Sequence, residues 1–177
     1  MEIPTDHLHK MTVEEFDTSK LLINAARQRD QRGLDRTLIV DVDCHHYENE
    51  SMGDIIEFID DPVLRRTGQV YAGAGGVGIN PFMVGSPGAQ DVAGRITRYP
   101  LRKMDQTPED GTHRDIHLSL KWMDALGVDY AMLFPGPMLL LGLHPVPEYE
   151  VAMSRAYNRW LTERILAEEA RLKTMLY

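Results

Sequence analysis

The sequence predicts an α/β fold built around a parallel β-sheet. Three segments have the length and apolar character of buried strands, at residues 37–43, at residues 128–134 and from residue 172 onward. Segments with apolar residues at helical spacing precede the second and third of these, at residues 112–126 and 148–170. Strands that alternate with helices form parallel sheets with right-handed crossovers, and such sheets gather ligands at the carboxyl ends of their strands.

The composition is that of one globular domain with net negative charge. The chain has 177 residues, of which 43% are hydrophobic, enough to fill a core. A net charge of −8 without a basic cluster argues against binding to nucleic acid or to anionic membranes. No apolar run approaches the length of a membrane span, and the polar N-terminus does not resemble a signal peptide. Cys44 is the single cysteine, which excludes an intrachain disulfide, and we expect a cytoplasmic protein.

Residues 1–36 are expected to form an N-terminal arm and a helix that precede the main domain, residues 37–177. The helix is predicted at residues 12–32, where it starts with a capping box and stops at Gly33. In the main domain, a short helix that ends near Pro62 is predicted after the first strand. It is indicated by apolar residues at helical spacing, at Met52, Ile55, Ile56 and Ile59.

Residues 69–111 are predicted to be an irregular insertion. The segment is rich in glycine and proline and has no sustained periodicity, and long segments of this kind usually serve as functional loops. Residues 73–78 match the dinucleotide fingerprint G-x-G-x-x-G, which requires a helix directly after it. Because Pro81 and Pro87 follow, that helix cannot form, and a loop over an active site or an interface is the better interpretation.

The second half of the chain is more regular. The helix at residues 112–126 has Gly127 as its stop, and Pro147 is suited to the first turn of the last helix. A loop is expected at residues 138–146. His113 and His117 share one helix face and could bind a metal together, but the surrounding sequence favours a solvated pair.

The end of the first strand carries the strongest indication of chemistry. Asp43 and His45 are separated by one residue, so on a strand they project from the same face and can reach one ion. A carboxylate oxygen and an imidazole nitrogen suit a divalent metal, with zinc first and manganese or iron as alternatives. Cys44 points the other way and is expected to pack. An aspartate that caps a turn beside a hydrogen-bonded histidine would show the same pattern, so the spacing alone leaves both interpretations open.

Three stretches of the sequence resemble one family. They are V-D-V-D-C-H at residues 40–45, K-W-M-D-A-L-G-V-D-Y-A-M-L-F-P at residues 121–135, and A-Y-N-R-W-L at residues 156–161. Together they resemble the amidohydrolase-related family (amidohydrolase 2), whose members include aminocarboxymuconate-semialdehyde decarboxylase and γ-resorcylate decarboxylase. Asp41 matches the leading aspartate of the family's first strand and His45 its final histidine ligand. Asp43 replaces the first ligand, which is often histidine or glutamate.

The resemblance implies part of a TIM (β/α)₈ barrel with a divalent metal. The chain would carry about the first three strands, whereas a closed barrel of this kind needs roughly 250 residues or more. The family's other metal ligands, histidines on middle strands and an aspartate on a late strand, fall beyond the matched region. We therefore expect a second protein chain that carries the rest of the barrel, with this chain either a natural subunit of a split barrel or one piece of a cleaved enzyme.

The expected function is metal-dependent hydrolysis of C–N or ester bonds in a small organic substrate, which could be cyclic or aromatic. Asp43 and His45 would bind the metal, and His46, Phe134 and His144 would line the substrate pocket. The general acid or base would lie outside this sequence. Two alternatives remain, namely a metal-dependent, non-oxidative decarboxylase of an aromatic or unsaturated acid, and a non-catalytic subunit that stabilises its partner.

Overall fold

The computed structural model describes residues 18–46, 48–73 and 107–176. Its helices and strands are, in order, α1 (Thr18–Arg32), β1 (Val40–His46), α2 (Met52–Glu57), α3 (Pro62–Gly73), α4 (Arg114–Leu126), β2 (Tyr130–Pro135), α5 (Pro147–Leu161) and β3 (Leu172–Thr174). Short 3₁₀ segments at Leu34–Arg36, Glu48–Ser51 and Pro137–Leu143 and a π turn at Thr162–Leu166 connect them. The N-terminal arm and most of the insertion lie outside the described residues.

The three strands form one parallel sheet in the order β1-β2-β3, which confirms the predicted α/β class. In β1, His45 pairs with Phe134 and His46 with Pro135. The register shifts between Asp41 and Cys44, where β1 carries one residue more than β2. The carboxyl ends of β1 and β2 therefore lie side by side.

The core lies between one face of this sheet and the helices. Ala131 and Leu133 of β2 and Leu172 of β3 contribute the sheet side. The helices contribute large apolar and aromatic side chains that are at most 3% exposed: Ile55, Ile56, Ile116, Met123, Tyr149, Met153, Tyr157, Trp160 and Leu161. The opposite sheet face is less covered, and Val40 and Tyr130 remain 46% and 42% exposed. The helices thus cover one side of the sheet, and the strand-end histidines divide between the two sides.

The first strand lies three residues later than predicted, at Val40–His46 instead of residues 37–43. The side chain of Asp129 accepts the Ile39 N–H at 2.7 Å, and the Ile39 carbonyl accepts the N–H groups of Asp129 and Tyr130. The polar groups of Ile39 are therefore engaged before the strand begins. The strand continues to His46, so both histidines belong to it.

Residues 47–66 contain the starts of two helices where one was predicted. The second, α3, begins at Pro62 because the Asp61 carboxylate accepts the N–H groups of Val63 and Leu64 at 2.8 and 2.9 Å. Because α3 continues to Gly73, the first residues of the predicted insertion are helical.

The predicted start of the first helix at residue 12, with its capping box, lies outside the described residues. The other boundaries are close to the prediction, with two exceptions. Gly33 and Gly127 adopt positive φ angles of 64° and 77° where the first and fourth helices end. Pro147 occupies the first turn of α5, as predicted. The loop expected at residues 138–146 is largely the 3₁₀ segment Pro137–Leu143, and the last helix changes from α to π geometry at Thr162.

Candidate metal centre

Asp43 and His45 lie together at the carboxyl end of β1. The Asp43 Oδ1 and His45 Nε2 atoms are 3.1 Å apart, and the side chains are 82% and 23% exposed. The His45 ring also lies beside the ring of Phe134, with centroids 6.2 Å apart. The structure therefore brings together three of the five predicted site residues, on the side of the sheet opposite the main core.

The β-bulge before Cys44 shapes this strand end. Its extra residue interrupts the ladder between β1 and β2, and the Asp43 N–H is bonded instead by Asp41 Oδ1 at 3.0 Å. Bulges re-aim neighbouring side chains and are frequent beside active sites. Asp41 thus fixes the backbone of Asp43 by this hydrogen bond.

The His45 ring has a defined orientation. Its Nδ1 lies 3.0 Å from the carbonyl oxygen of Pro135. Because a carbonyl only accepts hydrogen bonds, Nδ1 carries the proton, and in the neutral ring the lone pair is on Nε2. That lone pair faces the Asp43 carboxylate, so the pair requires a cation between the two atoms, either a proton or a metal ion.

The distance between Asp43 Oδ1 and His45 Nε2 is compatible with two ligands of one metal ion. Two ligands at about 2.0–2.1 Å from a tetrahedral zinc ion lie about 3.3 Å apart, close to the observed 3.1 Å. A backbone carbonyl that accepts the second ring N–H is the usual outer partner of a metal-binding histidine. Among the described residues no group of three or more histidine, cysteine, aspartate or glutamate side chains could hold an ion. A metal bound by Asp43 and His45 would therefore need further ligands from outside the described residues. Cys44 packs against the core, as predicted.

His46 lies in the core rather than beside the strand-end pair. It is fully buried, with Nε2 2.6 Å from the Tyr157 hydroxyl and Nδ1 3.4 Å from Asp115 Oδ2. Its ring stacks on Trp160 at 6.0 Å. His46 therefore packs between β1 and the helices α4 and α5. It does not lie beside Asp43 and His45.

His144 is also separate from the strand-end pair. It is 7% exposed, and its Nδ1 accepts the Val146 N–H at 3.1 Å. Its ring lies 4.8 Å from that of Tyr149. Its Nε2 is buried and has no hydrogen-bond partner among the described residues. The structure places this histidine in the connection to α5, and its predicted contact with substrate stays a prediction.

Glu48 is a residue of this region that the sequence did not single out. It is fully buried, and its two carboxylate oxygens accept the backbone N–H groups of Gly136, at 2.8 Å, and of Met138. Burial raises its pKa, while the charge of His46 and the two N–H groups act in the opposite direction. A lone glutamate in a polar run carries no sequence signal for this role, because its partners are 88 and 90 residues away.

The His113 and His117 pair does not converge on a common point. His113 caps α4 by accepting the Asp115 N–H at 3.1 Å, whereas His117 contacts Asp110 at 3.0 Å. The hydrogen bond from His117 lowers the pKa of Asp110 to about 2. Each histidine is thus engaged locally, which agrees with the interpretation that they are not a metal pair.

An open cleft of about 390 Å³ lies on the helical side of the molecule. Its lining is mostly charged and comprises Asp54, Glu57, Phe58, Gly111, His113, Arg164 and Glu168. None of the strand-end residues contributes to it. It is therefore separate from the candidate metal centre.

Comparisons of the chain with protein-family models, with curated proteins and with solved structures found no match. None of the helices in the described part of the chain is both long and apolar enough to cross a membrane.

Proposed function

We propose that this chain is a subunit of a divalent-metal-dependent hydrolase related to the amidohydrolase 2 family, with Asp43 and His45 as metal ligands. The observation that carries the proposal is the 3.1 Å approach of Asp43 Oδ1 to the lone-pair nitrogen of His45. Two acceptors this close repel each other unless a cation lies between them. The exposed position of Asp43 gives an ion access from solvent.

Each residue has a distinct task in this proposal. Asp43 supplies negative charge, and His45 supplies a neutral nitrogen that the Pro135 carbonyl holds in place. Phe134 provides an apolar wall beside the histidine, suited to the ring of a cyclic or aromatic substrate. A bound divalent ion would activate water for attack on a C–N or ester bond. The general base would come from the partner chain.

Removal of either ligand should weaken binding of zinc. In calorimetric titration at pH 8, where an ordinary histidine is neutral, Asp43→Ala and His45→Ala should each raise the Kd by more than about 10-fold. His117→Ala is the matched control, because His117 and Asp110 form an exposed pair at 3.0 Å elsewhere on the surface. Wild-type affinity in both strand-end variants, or an equal loss in the control, would contradict the assignment.

The same variants discriminate between the proposed activities. In the complete assembly, hydrolysis is measured as amide or ester cleavage, and decarboxylation as release of CO₂. If the double variant Asp43→Ala/His45→Ala left metal content and turnover unchanged, the chain would be a non-catalytic stabilising subunit. If the wild type released CO₂ but had no hydrolytic activity, and the double variant lost the CO₂ release, the decarboxylase alternative would be identified.

A partner chain is supported by the uncovered side of the sheet. Val40, Val42 and Tyr130 are 46%, 69% and 42% exposed, although valine and tyrosine in strands usually pack against a second layer. In the described residues β1 and β3 each pair with β2 alone, so the sheet has two edges. Further parallel strands would pair with these edges, and a closed barrel would remove them.

We expect the chain to purify as a stoichiometric complex with a second protein that carries the missing strands and ligands. Native mass spectrometry gives the stoichiometry, and peptide sequencing gives the identity of the second chain. The strand-end variants should retain the complex but lose metal, which separates assembly from metal binding. A stable monomer with full metal content would refute the shared barrel.

A further inference from the structure

We propose that Glu48 is a positioning residue for His45 and acts through the peptide group between Pro135 and Gly136. The N–H of this group donates to Glu48 Oε2 at 2.8 Å, and its carbonyl oxygen accepts from His45 Nδ1 at 3.0 Å. One planar unit thus connects a buried carboxylate to the ring of the candidate ligand. The inference concerns the histidine itself and, for its effect on metal affinity, rests on the proposed function.

The geometry of the peptide suits this linkage. In a trans peptide the C=O and N–H bonds point in opposite directions, and no cis bond occurs among the described residues. Glu48 therefore lies on one side of the group and His45 on the other. Glu48 is the first residue of the 3₁₀ segment Glu48–Ser51, which follows β1 along the chain.

The second oxygen of Glu48 fixes the orientation of the linkage. It accepts the N–H of Met138, so the carboxylate spans the start of the 3₁₀ segment Pro137–Leu143. Both Glu48 and Met138 are fully buried, so water does not compete for the bond between them, whereas the bond from Gly136 is partly buried. With two fixed contacts the carboxylate cannot rotate away from Gly136, and the Pro135 carbonyl keeps its direction.

The electronic consequence follows from the chain of hydrogen bonds. A carboxylate that accepts the Gly136 N–H polarises the peptide and increases the negative charge on the Pro135 oxygen. A stronger acceptor draws the Nδ1 proton of His45 and makes Nε2 a better donor to a metal. Glu48 thereby secures the tautomer that presents a lone pair toward Asp43.

The test uses NMR on the metal-free, full-length chain with labelled histidine, followed by zinc titration of the complete assembly at pH 8. Glu48→Gln should move the His45 Nδ1–H resonance upfield and populate the Nε2–H tautomer. It should also weaken zinc binding by about 10-fold, at the lower end of effects of outer partners. Asp115→Asn is the matched control, because Asp115 is a buried acid that contacts His46 but not this peptide. The control should leave the His45 resonance unchanged.

Three results would overturn the proposal. The first is an unchanged His45 resonance in Glu48→Gln, and the second is an equal change in the control. The third is the absence, in the wild type, of scalar coupling across either hydrogen bond. The couplings run from Gly136 N to the Glu48 carboxyl carbon and from His45 Nδ1 to the Pro135 carbonyl carbon. This measurement does not depend on the folding of a variant. A complete wild-type assembly that binds no zinc would refute the proposed function, while these couplings would still decide the role of Glu48.

Discussion

Replacement of Trp160 by alanine is expected to lower the free energy of unfolding by about 3–5 kcal/mol. The side chain is fully buried at the centre of the core, on α5. It stacks on His46 at 6.0 Å and meets the edge of the His113 ring at 5.4 Å. Its loss would leave a cavity between helices and sheet that the surrounding side chains cannot fill. Urea denaturation monitored by circular dichroism measures the change.

Trp160→Phe is the matched control for this substitution. Phenylalanine retains an aromatic ring, and the Trp160 Nε1 atom has no hydrogen-bond partner among the described residues. The control therefore loses a smaller volume and no hydrogen bond, so a smaller destabilisation is expected. A loss below about 1 kcal/mol for the alanine variant would contradict the buried placement of the ring, because full truncation of a core tryptophan costs several times more.

The fold class and the order of elements were accessible from the sequence because periodicity identifies buried strands and amphipathic helices. The pattern was less informative about which residues of a helix face the core. Val151 shares the apolar spacing of α5 but is 49% exposed, whereas Asp115 is an acid that is 2% exposed. Tertiary contacts decide both cases. Asp115 contacts His46 in the core, and no local pattern encodes this contact.

The pair at the candidate metal centre was also accessible, because residues two apart on a strand share a face. The same rule implies that His46 points away from His45, which the expectation that His46 lines the pocket did not take into account. The structure places His46 in the core. The part that the sequence could not supply is the environment of the pair. The tautomer of His45 depends on Pro135, 90 residues away, and the position of that carbonyl depends on Glu48. Such contacts arise only when β1 and β2 are paired.

Glu48→Ala is expected to be the second most damaging substitution, with a loss of about 2–5 kcal/mol in the free energy of unfolding. It removes the acceptor for two backbone N–H groups, and each buried donor left without a partner costs about 1–3 kcal/mol. The N–H of Met138 is fully enclosed and that of Gly136 partly so. The loop after β2 would lose its anchor to β1. Denaturation with urea at several pH values measures the loss and its pH dependence.

The cost of Glu48→Ala should be larger at pH 4 than at pH 8. Burial raises the pKa of Glu48 in the folded chain above its ordinary value of 4.5. Below pH 4.5 both states hold the proton, and the contribution of the carboxyl group to stability is complete. As the pH rises from the unfolded-state pKa through the folded-state pKa, the carboxyl group ionises more readily in the unfolded chain than in the folded chain. This stabilises the unfolded state, so the wild type loses part of that contribution. The alanine variant has no carboxyl group at this position and lacks this dependence.

The pH series has a control in the same segment. Leu141 is fully buried in the 3₁₀ segment Pro137–Leu143 and does not titrate. The cost of Leu141→Ala should therefore be the same at pH 4 and pH 8. A cost of Glu48→Ala that is constant with pH, or that grows toward pH 8, would show that burial does not dominate the pKa of this carboxyl group. In that case the two backbone N–H groups and His46 stabilise its ionised form more than burial destabilises it.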